Sequence, residues 1–106
     1  MIFKELAEEL GLEPDEIREL LVIFIETSES DIDRLQQAIV EGDAKRVADA
    51  AHSIKGASAN LGFMELSSFA KNLEQNARKN NLEDLTDEVL IIKDRLSLLE
   101  KSIDDI

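Results

Sequence analysis

Apolar residues recur every three or four positions along almost the whole chain, and this spacing predicts α-helices rather than strands. Only four glycines and one proline interrupt the 106 residues, and Leu, Glu and Ala are abundant, which also favours helices. Five segments carry the pattern. They run from Ile2 to Leu10, from Pro14 to Gly42, from Asp43 to Gly62, from Phe63 to Ala77 with fraying at Asn80–Asn81, and from Leu85 to Ile103.

The ends of these segments carry recognisable helix signals. Pro14 stands near a first helical position, Asp43 is a suitable N-cap, and Gly42 and Gly62 are suitable C-terminal glycines. The connections between the four longer segments are short, so consecutive helices are expected to be antiparallel neighbours. The sequence therefore predicts an all-α fold: one domain over residues 1–106, an up-down-up-down four-helix bundle with a short additional N-terminal helix.

Composition narrows the function classes. The net charge of −12 disfavours nucleic acid and anionic membrane surfaces as partners, and it favours a protein partner with a basic or mixed face. The chain has no cysteine, its first residues lack the layout of a signal peptide, and the longest apolar run, residues 20–25, is too short to span a membrane. We therefore expect a soluble, cytoplasmic monomer.

His52 is the only histidine, and it points away from the apolar stripe of the third helix. An α-helix turns about 100° per residue, so His52 lies about 140° from Val47, the reference residue of the stripe. The other stripe residues lie within roughly 40° of Val47 and are Ala51, Ile54, Ser58 and Leu61. The outward face shared with His52 is predicted to hold Lys45, Ala48, Lys55, Gly56 and Ala59.

This face suits a histidine that takes a phosphoryl group. A neutral imidazole is a good nucleophile near neutral pH, and Lys55 would offset the charge of phosphoryl oxygens. Gly56 costs about 1 kcal/mol of helix propensity relative to alanine, and clearance for an approaching group is one reason to keep it. Ala48 and Ala59 have small side chains, so little would project from the surface around His52. A solvated surface histidine without chemistry remains the competing interpretation, and the residues alone leave both open.

The stretch Ala50-Ala51-His52-Ser53-Ile54-Lys55-Gly56-Ala57-Ser58-Ala59-Asn60-Leu61-Gly62 resembles the histidine-containing phosphotransfer (HPt) domains of bacterial phosphorelays. The resemblance covers almost the whole chain, including helix order and size. It implies that His52 is the phosphoacceptor and that Lys55 and Gly56 belong to its site. It also implies that Glu74, on the next helix, bonds Nδ1 of His52 and leaves Nε2 free, and that Arg78 lies on the phosphate side.

The resemblance further implies the partners. A receiver domain, or a histidine kinase, would donate the phosphoryl group, and a second receiver would take it. Mg²⁺ would be held by the receiver, because this chain has no nucleotide motif and is expected to need no cofactor or metal of its own. Receiver docking is expected at Lys45, Ala48, Ala59 and Arg78, with Val22 or Ile25 adding an apolar patch. Alternatively, the short first helix covers those two apolar residues.

Three other interpretations stay open at this stage. The same motif resembles the phosphotransfer module of a chemotaxis-type kinase, although Lys71 stands where such kinases often have a second histidine. A helical adaptor without phosphoryl chemistry is a second alternative, supported by Leu90, Ile91 and Leu98 lying off the main stripe of the last helix. Metal binding is the weakest alternative, since one histidine makes no zinc site without partners.

Overall fold

Five helices make up the fold. The computed structural model describes residues 2–104, and the side chains of residues 4–104. The helices are α1 (Ile2–Leu10), α2 (Pro14–Glu41), α3 (Ala44–Asn60), α4 (Met64–Arg78) and α5 (Thr86–Ile103). The predicted helices are confirmed, but Phe63 and Leu85 precede α4 and α5 as N-cap residues instead of lying inside them. The apolar spacing of the first segment also predicts that Ile2 and Phe3 share a helix face with Leu6 and Leu10, but the side chains of Ile2 and Phe3 lie outside the described ones.

Four of the helices form a closed ring. Contacts join α2 to α3, α3 to α4, α4 to α5 and α5 back to α2, whereas α1 packs on α2. This arrangement confirms the predicted four-helix bundle with an additional N-terminal helix. The molecule measures 42 × 20 × 17 Å, and its long dimension equals the length of the 28-residue α2, about 42 Å at 1.5 Å per residue. α2 is therefore the central long helix, and α1, α3 and α5 pack against it.

Two glycine turns set α3 between α2 and α4. At the end of α2, Gly42 has a φ of 71°, its N–H donates to the Ile39 carbonyl (3.1 Å), and the Asp43 N–H donates to that of Ala38 (2.9 Å). This is the Schellman pattern, which a residue with positive φ permits. The same pattern recurs at Gly62, where the Phe63 N–H reaches the Ser58 carbonyl at 2.9 Å. These turns reverse the chain within two or three residues and fix the antiparallel order.

The end of α4 differs from the sequence prediction. Asn80 and Asn81 were expected to fray, but the Asn80 N–H donates to Ala77 (2.8 Å) and the Asn81 N–H donates to Asn76 (2.9 Å). Asn80 has a φ of 59°, and asparagine is one of the few residues other than glycine that tolerate this region. The prediction of fraying was therefore wrong, because asparagine takes the role that glycine has in the other turns.

The core runs along the axis of the bundle. Its largest fully buried apolar side chains are Ile17, Leu21, Ile32, Leu35, Val47, Ile54, Leu73, Leu85, Ile92 and Leu96. α3 contributes few large side chains to this core, since three of its six buried residues are alanines. The backbone of α3 can therefore lie close to α2 and α4. None of the described helices is long and apolar enough to cross a membrane.

Asp43 links two helices and gives a test of the turn. Its side chain accepts a hydrogen bond from the Arg46 N–H at 3.2 Å and so caps α3. We expect Asp43→Ala to lower the free energy of unfolding by about 1 kcal/mol, measured by urea denaturation, because the first turn loses its acceptor. Asp43→Ser keeps an acceptor and should retain most of the stability. An equal loss in both variants would contradict the capping role.

Candidate functional site around His52

The His52 ring stands on the outward side of α3 and reaches toward α4. Its side chain is 62% exposed, and Nδ1 lies 2.9 Å from Oε2 of Glu74. An ionised carboxylate only accepts hydrogen bonds, so Nδ1 carries the proton and donates it to this bond. In the neutral ring the lone pair then resides on Nε2. The arrangement leaves an unprotonated ring nitrogen without a role in the fold.

Glu74 is the centre of the site. Its side chain is 7% exposed, and each oxygen accepts from a basic residue: Lys55 Nζ lies 2.6 Å from Oε1, and Arg78 Nη2 and Nε lie 2.6 and 3.1 Å from Oε2. Burial raises the pKa of Glu74, but hydrogen bonds from Lys55, Arg78 and His52 outweigh burial and lower the pKa to about 2. Glu74 is therefore ionised throughout the physiological range.

Close packing of α3 on α4 brings these residues together. The Ser67 hydroxyl of α4 donates to the Lys55 carbonyl of α3 at 3.1 Å, which ties the two backbones together one turn beyond His52. Lys55 follows His52 by three residues on α3, and Arg78 follows Glu74 by four on α4, so each pair shares one face of its helix. Four residues predicted from the sequence, His52, Lys55, Glu74 and Arg78, thus form a single hydrogen-bonded cluster.

Gly56 lies one turn after His52, exposed and in the middle of α3. A Cβ atom built on Gly56 would meet no atom within 4 Å beyond the adjacent residues and the backbone of α3 itself. The fold of this chain therefore gives no packing reason for a glycine at this position. The glycine leaves open space beside the His52 ring, and the small side chain of Ala59 is exposed on the same face. Lys45 is also exposed, with Nζ 3.4 Å from Asp49.

Ala48 was predicted on the exposed face, and this prediction was wrong, because the residue is buried. α3 packs on α2 and α4 at once, so it buries an arc of about 160°, wider than one apolar stripe. Ala48, at about 100° from Val47, falls inside that arc on the α4 side. Its small side chain permits close packing of α3 on α4 instead of forming part of an exposed docking face.

The predicted apolar patch on α2 is also corrected. Ile25 is buried, so it is not available for docking. Val22 is 36% exposed. However, Asp31 is the α2 residue that bonds α3 next to His52, and Val22 lies nine residues from it, or roughly 14 Å along the helix. Val22 is therefore not beside the ring.

Asp31 is a residue that the sequence analysis missed. It is buried on α2, accepts a hydrogen bond from Ser53 Oγ at 2.7 Å, and pairs with Arg34. The signal was present in the sequence, since Phe24, Ser28, Asp31 and Leu35 follow one helical stripe, and a carboxylate inside such a stripe needs partners. Among the described residues, no group of three or more His, Cys, Asp or Glu side chains is arranged to hold a metal ion.

The lowered pKa of Glu74 predicts a pH dependence of stability. Since its pKa falls from 4.5 to about 2 on folding, the stabilisation is complete above pH 4.5 and is lost as the pH falls toward 2. Glu74→Gln should therefore cost on the order of 1–2 kcal/mol at neutral pH, and the difference from wild type should shrink in acid. Urea denaturation between pH 7 and pH 3, with exposed Glu19→Gln as control, measures it. A constant difference across this range would contradict the account.

Comparisons with known proteins give the family. The sequence profile of the Hpt domain matches residues 19–104. The structure is similar to that of histidine-containing phosphotransfer protein B from Pseudomonas aeruginosa, with a TM-score of 0.82, 28% identity and coverage of 98% of this chain and 88% of that one. It is also similar to the HPT domain of an Hpt sensor hybrid histidine kinase from Shewanella, with a TM-score of 0.74, 18% identity and coverage of 97% and 89%.

No curated protein sequence gives a significant match to the chain. The family match nevertheless covers α2 from residue 19 onward and all of α3, α4 and α5, and it includes the whole cluster around His52. The second structure supports the fold alone, at its lower identity. The matched region contains the exposed His52 and the buried Glu74 that orients its ring. The chain therefore belongs to the Hpt domain family, the histidine phosphotransfer domains of two-component phosphorelays.

Proposed function

We propose that Nε2 of His52 accepts a phosphoryl group from the phospho-aspartate of a receiver domain, or from a histidine kinase, and passes it to the aspartate of a second receiver. One observation carries the proposal. Glu74 holds Nδ1 at 2.9 Å in a side chain that is 62% exposed, which leaves the Nε2 lone pair for an incoming phosphorus atom. A solvated surface histidine would not need a buried carboxylate to orient it.

The chemistry balances without a proton transfer. The Nε2 lone pair forms a bond to phosphorus, the bond between phosphorus and the aspartyl oxygen breaks, and the electron pair leaves with the aspartate carboxylate. Nδ1 keeps its proton throughout and continues to donate to Glu74. As positive charge develops on the ring, the ionised Glu74 stabilises it, because a fixed charge beside the reacting group needs no reorganisation. The reverse sequence returns the phosphoryl group to a receiver.

The charges around His52 suit this transfer. With a neutral ring, the cluster of His52, Lys55, Glu74 and Arg78 carries one net positive charge, from two basic side chains and one carboxylate. The transferred PO₃⁻ unit brings one negative charge and neutralises it. Arg78 is more than half exposed and Lys55 about a third, so both can reach the phosphoryl oxygens while they remain near Glu74. Both residues thus suit the phosphate-side role expected of them from the sequence.

The hairpin of α3 and α4 differs in charge from the rest of the chain. Residues 44–79 hold six of the 12 basic residues but only three of the 24 acidic ones. A partner that docks over His52 therefore meets a basic surface, although the whole chain favours a basic or mixed partner by its net charge. The acidic phosphorylation pocket of a receiver is complementary to this hairpin. Our proposal assigns Mg²⁺ to that receiver, and includes a cytoplasmic location and a monomeric state.

Intact-mass spectrometry tests the proposal. The wild-type chain and His52→Gln are incubated with phosphoramidate and, separately, with a receiver domain phosphorylated on its aspartate. We expect wild type to gain one acid-labile phosphoryl group from both donors and His52→Gln to gain none. Receivers should also regain the group from the phosphorylated chain. Equal labelling of the His52→Gln variant, or no labelling of wild type by either donor, would contradict the proposal.

Gly56→Ala separates stability from transfer. Alanine has a higher helix propensity and meets no atom at this position, so we expect the free energy of unfolding to rise by about 0.5–1 kcal/mol. The added methyl group narrows the space beside His52, so transfer from a receiver should slow about 10-fold, and labelling by phosphoramidate should slow less. Ser97→Ala, exposed on α5, should stabilise slightly and leave transfer unchanged. Unaltered receiver transfer in Gly56→Ala would contradict a clearance role.

A further inference from the structure

A second buried carboxylate lies on the opposite side of α3 from Glu74. Asp31 and Glu74 are the buried acidic residues in the described part of the chain. The Asp31 side chain is 2% exposed, its Oδ2 accepts from Ser53 Oγ at 2.7 Å, and its Oδ1 pairs with Arg34 on the same helix. None of these three residues takes part in the chemistry proposed for His52.

His52 and Ser53 are consecutive, and they bond in opposite directions. About 100° separates them around the axis of α3, so the two residues straddle the outward crest of the helix. His52 reaches down to Glu74 on α4, and Ser53 reaches down to Asp31 on α2. α3 is thus held at the same level by one hydrogen bond to each neighbouring helix, and each bond ends on a buried carboxylate.

We propose that Ser53, Asp31 and Arg34 act as positioning residues, which fix the rotation of α3 about its axis and thereby keep the His52 ring on Glu74 with Nε2 outward. The inference rests on the proposed function only for its effect on transfer. A rotation of α3 by about 20° moves atoms at the helix surface by about 2 Å, enough to break either hydrogen bond. With both bonds in place, rotation in either direction is opposed.

The packing of α3 explains why hydrogen bonds are needed for this purpose. Six of its 17 residues are alanine, and Val47 and Ile54 are the only large apolar side chains among its buried residues. Small side chains interlock weakly with neighbouring helices, so several rotations of α3 would bury similar apolar area. Directional hydrogen bonds distinguish among them.

A contribution to stability does not by itself explain why a carboxylate is buried at position 31. A buried ion pair loses solvation free energy that its Coulomb attraction only partly returns, and apolar residues of similar volume are often as stabilising. Arg34 stays largely in solvent while Asp31 is covered, so the carboxylate depends on the Ser53 hydroxyl for its second partner. The geometry of Asp31, aimed at the residue after His52, is what a positioning role requires.

The test compares Ser53→Ala, which removes the hydroxyl, with Ser53→Thr, which keeps one. Ser53 is exposed, so both variants should fold. The first readout is the NMR signal of the Nδ1 proton of His52 and its exchange with water, and the second is the rate of labelling by phosphoramidate per folded molecule. We expect Ser53→Ala to speed proton exchange and to slow labelling about 5- to 10-fold, and Ser53→Thr to restore both. Ser97→Ala serves as the control.

The outcomes separate this inference from the proposed function. A Ser53→Ala protein with a lower melting temperature but wild-type proton exchange and labelling rate would overturn the positioning role and leave only a structural one. If wild type accepts no phosphoryl group from any donor, the proposed function fails, and the exchange of the Nδ1 proton still decides whether Ser53 positions the ring. If Ser53→Thr restores neither the proton exchange nor the labelling rate, the hydroxyl at position 53 does not position the ring.

Discussion

The buried carboxylate of Glu74 is the interaction on which the site depends. A carboxylate taken out of water is costly unless its charge is compensated, and here Lys55, Arg78 and His52 compensate it together. Because Glu74 must be paired, the three donors converge on one point at the junction of α3 and α4. The histidine ring is held in one tautomer, and the positively charged side chains of Lys55 and Arg78 are held beside it. One desolvated group therefore sets orientation, charge and tautomer at once.

The bundle serves this interaction through its turns and its small residues. Tight reversals at Gly42 and Gly62 place α3 between α2 and α4, and its alanines allow the close approach that a 2.9 Å bond from His52 to Glu74 requires. The acidic residues lie mostly outside the α3–α4 hairpin, so the hairpin faces solvent with a basic surface. Fold and charge distribution thus leave the same ring nitrogen exposed on a basic surface.

Periodicity and glycine placement were sufficient to predict the helices and their order, because both are local properties of the sequence. The angle of His52 from Val47 predicted its exposure, and Lys55 followed from helical spacing. Burial of Ala48 was not predicted, because it depends on how many neighbours a helix has, which no single stripe reveals. For Ile25 the sequence left both docking and coverage by another helix open, and the residue is buried. The role of Glu74 was predicted from the family resemblance alone. Periodicity places Glu74 beside Leu73 but does not show which residue of another helix it contacts.

The central claim is that Glu74 leaves Nε2, and not Nδ1, as the nucleophile. The most direct test is a long-range ¹H–¹⁵N NMR spectrum of the phosphorylated protein labelled with ¹⁵N-histidine, in which the two ring nitrogens of His52 are distinguished by their couplings to ring protons. The account predicts that the phosphoryl group is on Nε2 and that Nδ1 retains its proton, hydrogen-bonded to Glu74. A phosphoryl group on Nδ1 would contradict it, because that nitrogen would then have to release Glu74 before it could react.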